Sequence, residues 1–182
     1  MEILDEIIHR NIVEIVSARE QYNAWIVIVQ NEGKHSIDFI EISRKALFHD
    51  MISHVVKVLD KDSRGATFWD IYSKFKQDID SFMMGQEIRI KDIREFGKNL
   101  KHVWDKTHFH VDKKGVFDTR SIWIEANIKR VQLLEIMDFI YDILKHVYLK
   151  HFGVPFYYPD YNGEEINKIL EIANAQLSKT PG

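Results

Sequence analysis

The stretch LDEIIHRNIVEIVSAREQYNAWIVIV, residues 4–29, decides the fold class. Leu4, Ile8, Ile12, Ile15, Tyr22, Ile26 and Val29 fall on one stripe of a 3.6-residue period, which a strand cannot present on a single face. The β-branched run from Trp25 to Val29 would suit a strand if taken alone. The stripe passes through it unbroken, so the whole stretch reads as one helix, broken after it by Asn31-Glu-Gly33.

Outward from there the chain keeps the same period. Ser36 is a plausible N-cap for a second helix carrying Ile40, Leu47, Met51, Val55 and Leu59, ended by Asp60-Lys-Asp-Ser-Arg-Gly65. Thr67 followed by Asp70 resembles a capping box for a third helix reaching about Lys76. Residues 78–86 fit no single period. A fourth helix is expected from about Lys91 to His108, on Ile93, Phe96, Leu100 and Val103, followed by a loop from Val111 to Gly115. A long helix is expected from about Thr119 to His151. Gly153 to Pro159 reads as an extended connector, and Asn162 with Glu165 as the cap of a last helix to about Leu177. The sum is an all-α bundle of about five to six helices, with residues 1–182 forming one domain.

Composition agrees. Apolar residues make up 45% and charged residues 29%, a globular balance that excludes a disordered chain. Eight Gly and three Pro are few for a protein of many tight turns. The absence of cysteine excludes disulfides, thiolate metal sites and cysteine nucleophiles, and fits a reducing compartment. The acidic opening Met1-Glu-Ile-Leu-Asp-Glu6 has no basic n-region, and no apolar run is long enough to span a membrane. A cytoplasmic protein is expected.

Several catalytic and metal patterns are excluded by reading them. Asp60-x-Asp62-x-x-Gly65 mimics the start of a calcium loop, but Ile71 stands where its final carboxylate belongs. Glu6-x-x-His9 is half of a di-iron motif without its second half. Asp50/His54 and Asp142/His146, each one turn apart, read as polar pairs on helix faces rather than metal ligands. No metal and no cofactor are expected.

One segment departs from the rest. Between Gln86 and Lys114 stand eight Lys/Arg against five Asp/Glu, a local +3 in a chain of net −3, so the remainder carries −6. His102, His108, His110 and Trp104 lie within it. Such a segment suits a phosphate-binding face; it also suits an ordinary solvated helix.

Leu100-Lys-His-Val-Trp104-Asp105-Lys106-Thr-His-Phe-His110-Val-Asp112-Lys113 resembles the signature of HEPN domains, an Arg followed by a polar residue and, after four to six intervening residues, a His. It is most similar to the AbiU-type branch of phage abortive-infection proteins, where Arg-Asp-Lys precedes His-x-Asp. Asp105, Lys106, His110 and Asp112 match that pattern. Trp104 stands in place of the arginine. Ser43-Arg44-Lys45-Ala46-Leu47-Phe48, Val58-Leu59-Asp60-Lys61-Asp62 and Ala66-Thr67-Phe68-Trp69 look like the second-helix region of the same branch.

The resemblance implies a homodimer that binds single-stranded RNA and cuts it without metal, through 2′-hydroxyl attack on the adjacent phosphate. It also implies a role as a toxin or phage-defence effector. That chemistry needs a proton-handling group and a cation beside the phosphate. His110 suits the first role, with Asp105 and Lys106 beside it; Lys106 or Lys101 would have to replace the missing guanidinium. Lys101, Trp104, His108 and Lys113 are the expected RNA contacts. Trp104 could stack on a base, or pack as a core or interface aromatic. Feeble or absent cleavage is therefore expected. The alternative is a non-catalytic helical interaction protein, for example the partner of a nucleotidyltransferase-like antitoxin.

Overall fold

The computed structural model describes residues 2–31, 38–61, 65–109, 119–156, 158 and 161–177. Among them are eight α-helices and no strand: α1 (Glu2–Gln30), α2 (Asp38–Leu59), α3 (Phe68–Lys74), α4 (Lys76–Phe82), α5 (Ile90–Trp104), α6 (Thr119–Ala126), α7 (Arg130–Phe152) and α8 (Glu164–Leu177). A π-helical turn, Asp105–Phe109, extends α5.

α1 is the element around which the others gather. It packs along α2 and α7, and also touches α3 and α8. Ile8, Ile12 and Ile15 are fully buried and Tyr22 nearly so, as their stripe requires. The run that resembled a strand is helical. It is apolar because Val27 and Ile28 face neighbouring helices and are buried as well. One continuous core joins Ile8, Ile12, Ile15 and Tyr22 to Met51, Ile52 and Val55 of α2, to Phe68 and Ile71 of α3, and to Ile136, Met137, Ile140 and Leu144 of α7.

The expected count of five to six helices is too low, because one expected helix is divided and another forms largely in residues 78–86, which the sequence reading left unassigned. The third helix ends at Lys74. Phe75, with φ −113° and ψ 29°, leaves the helical region, lays its ring 4.2 Å from that of His151, and α4 begins at once. The long helix expected from Thr119 breaks at Asn127, which has φ +51°. Asparagine tolerates this left-handed conformation better than most residues. The break lets Ile122 and Ala126 of α6 pack on Val103 of α5 while α7 turns to the main core. A single straight helix cannot present apolar faces in both directions.

The expected caps are present where they are described. The Asp70 carboxylate accepts from the Thr67 N–H at 2.9 Å and from its hydroxyl at 3.2 Å. Asn162 Oδ1 accepts from the Glu164 N–H at 3.1 Å. Gly163, at φ +77°, sits so close to α1 that an added Cβ would lie 2.8 Å from Val27 Cγ2. The Asn23 side chain donates to the Tyr161 carbonyl at 2.6 Å and ties the connector to α1. Among the described residues, no helix is long and apolar enough to cross a membrane. The Ser36 cap and the loop from Val111 to Gly115 lie outside the described residues.

Candidate anion-binding groove

α5 is sharply two-faced. Ile93, Phe96, Leu100 and Val103 are buried, while Arg94, Lys98 and Lys101, spaced i, i+4 and i+7, share another face. Gly97 lies between them. A Cβ there would stand 3.1 Å from the Leu59 Cβ, so the missing side chain lets α5 approach the C-terminal end of α2 closely.

That approach builds a groove of about 300 Å³, walled by the end of α2, by α3 and by α5. Lys101 Nζ donates to Asp60 Oδ2 at 3.0 Å and lies 3.6 Å from Asp105 Oδ2. The hydrogen bond to Asp60, with the charges of both carboxylates, holds Lys101 above the usual lysine range against the opposing effect of its partial burial. Trp69 of α3 donates its indole N–H to the Leu59 carbonyl at 2.8 Å, and the Asp60 N–H donates to the Val56 carbonyl at 2.8 Å. Two of α2's terminal carbonyls are thus satisfied, which blunts the negative end of that helix where it meets the groove.

The Arg94 guanidinium lies over the Trp69 ring, 5.3 Å from its centroid. Lys61 and Lys98 are exposed at the rim. Among the described residues no carboxylate pairs with Lys61, Arg94 or Lys98, whereas the charge of Lys101 is answered by Asp60. The groove therefore presents three cations without a carboxylate partner among the described residues, over an apolar strip of Leu59, Gly97 and Trp69. It can hold an anion. Among the described residues its lining includes no histidine.

The residues expected from sequence are placed as follows. Trp104 is 8% exposed, belongs to the main core, and has its ring 4.9 Å from that of His49. Asp105 is brought to Lys101. Lys106 is half-buried in the π-turn. His110, Asp112, Lys113 and the side chain of His108 lie outside the described residues. Lys61, Trp69, Arg94 and Lys98 were not anticipated as site residues. The i, i+4, i+7 spacing of the α5 cations was the available signal; the approach of Lys61 and Trp69 depends on tertiary packing.

The Asp50/His54 pair belongs to a separate ion network between α1 and α2. His54 Nδ1 lies 2.5 Å from Glu14 Oε2 and its Nε2 lies 3.7 Å from Asp50, while Lys57 Nζ lies 3.4 Å from the same Glu14 oxygen. Among the described residues no group of three or more His, Asp or Glu is arranged to hold a metal ion. Comparisons with protein-family models, curated proteins and solved structures give no match to this chain.

Proposed function

We propose that the protein is a HEPN-like RNA-binding protein of the AbiU type, a weak or degenerate metal-independent ribonuclease serving as a toxin or phage-defence effector. The observation that carries the binding half of this reading is the cationic groove in which Lys61 meets Arg94 and Lys98 of the segment whose local charge is +3. The cleavage half rests on the resemblance around His110, with Trp104 in the arginine's position.

Binding is tested by fluorescence anisotropy with a labelled single-stranded RNA across salt concentrations. Each phosphate neutralised on a single strand adds about −0.7 to the slope of log affinity against log salt, so three engaged cations give about −2. Arg94→Glu with Lys98→Glu is expected to reduce both affinity and slope. A double variant with unchanged affinity and slope removes the groove from the function. Lys101 is a poor choice for this test. A glutamate there would face Asp60 and Asp105, and any loss of binding would be confounded with misfolding.

A second reading, an interaction protein that works through a protein partner or a second copy of itself, is favoured by a different feature. An apolar groove of about 510 Å³ runs between α2 and α8, lined by Ile28, Ile40, Leu47, Ile166, Ile169 and Leu170. Ile169, which lines it, is 59% exposed, and Ile172, three residues further along α8, is 61% exposed. If a homodimer forms there, light scattering gives twice the chain mass at micromolar concentration, and Ile169→Asp with Ile172→Asp returns it to a monomer. A parent that is monomeric at that concentration counts against both the dimer and the family reading.

A further inference from the structure

We infer that the groove between α2, α3 and α5 holds a phosphomonoester, the terminal phosphate of an RNA strand or a free nucleotide, rather than an internal phosphodiester. This narrows the RNA-binding reading and rests on it.

Charge is the first argument. An internal phosphodiester carries one negative charge, whereas a phosphomonoester carries about −1.5 to −2 near neutral pH and offers three terminal oxygens. Lys61, Arg94 and Lys98 face the same cavity without a carboxylate partner among the described residues. Arg94 and Lys98 are one helical turn apart, roughly 6 Å along the axis. Three cations so close together match one doubly charged group better than a row of single charges.

Shape is the second. A strand bound along its length needs a continuing track of cations. The α5 face that carries Arg94, Lys98 and Lys101 meets Asp105 one turn further on, and Asp105 is itself engaged with Lys101. The track is closed at that end by a carboxylate.

Preorganisation is the third. The guanidinium of Arg94 lies over the Trp69 ring, 5.3 Å from its centroid, and Trp69 is fixed by its hydrogen bond to the Leu59 carbonyl. A held, planar fork suits two parallel hydrogen bonds to the oxygens of a terminal phosphate, with the lysines acting as point charges around it. The apolar strip of Leu59, Gly97 and Trp69 is left for the sugar and base.

The test uses one short single-stranded RNA in three forms, 5′-phosphorylated, 3′-phosphorylated and with both ends hydroxyl, together with adenosine monophosphate, at about 0.15 M salt. One phosphorylated form is expected to bind about tenfold or more tightly than the hydroxyl form, as the gain of a charge-assisted pair allows. That form identifies the end recognised. The preference is expected to vanish in Arg94→Gln with Lys98→Gln, two exposed positions whose replacement leaves the far-ultraviolet circular dichroism unchanged. Equal affinity for all three RNAs, weakened together by the double variant, overturns the inference and leaves the RNA reading standing. Binding of adenosine monophosphate without binding of any RNA supports the phosphomonoester and overturns the RNA reading. Absence of binding by all four ligands overturns both.

Discussion

Trp104 fills the position where the resembling family carries its arginine, and the structure makes that position interior, 8% exposed and in ring contact with His49. A guanidinium introduced there would lose the aromatic packing against His49 and bring a charge into the core. Trp104→Arg is therefore expected to lower unfolding free energy by about 3–5 kcal/mol, measured by urea denaturation. A variant as stable as the parent would show that the site accommodates a charge. Any gain in RNA cleavage, and its loss on adding His110→Ala, is meaningful only under conditions where the variant is shown to be folded. At this scale sequence reading reached part of the answer. The basic character of residues 86–114 and the core alternative for Trp104 were visible in the residue order. The pairing of Lys101 with Asp60, 41 positions away, was not, because no local period encodes it.

Among the elements, the joint between α6 and α7 shows what periodicity leaves out. Apolar spacing continues through residues 119–151, yet the chain turns at Asn127 because the two halves have different partners. A side chain at φ +51° tests this directly. Asn127→Ala is expected to cost about 1 kcal/mol through left-handed strain, whereas Asn127→Gly is expected to be close to neutral. If alanine and glycine give the same thermal midpoint, the break does not depend on this residue. Most helices were legible, α4 in the unassigned stretch 78–86 excepted, and the predicted Thr67–Asp70 box is present because capping is a local interaction between neighbours. The breaks at Phe75 and Asn127 were hidden because each is dictated by what lies across the core.

For the molecule as a whole, one tether joins the short helices to the long one. Asp78 of α4 accepts from Lys150 at 2.6 Å and pairs with His151 at 2.7 Å, both on α7. The hydrogen bond from Lys150, then that from His151, holds the Asp78 carboxyl below its ordinary value of 3.8. A depressed carboxyl stabilises the fold at pH above its unfolded value, and that stability is lost as pH falls through the folded one. The urea midpoint of the parent is expected to fall as pH is lowered from about 5 to 3, and that of Asp78→Asn to fall less steeply. Parallel acid limbs for the two proteins would mean the tether contributes nothing. The main core was legible from composition and stripe; the groove was not, since it needs α2, α3 and α5 in contact.

The central place of α1 has a consequence during synthesis. Its buried stripe is closed on one side by α2 and on the other by α7, and the Arg19–Asp138 ion pair, 2.7 Å long, spans that second contact. On the ribosome α2 follows α1 directly, but about 100 residues separate the end of α1 from the start of α7. At roughly 5–20 residues per second, the side of α1 meant for α7 waits about 5–20 seconds for its cover. A nascent chain halted near residue 126 carries that apolar surface uncovered, and only the completion of α7 covers it.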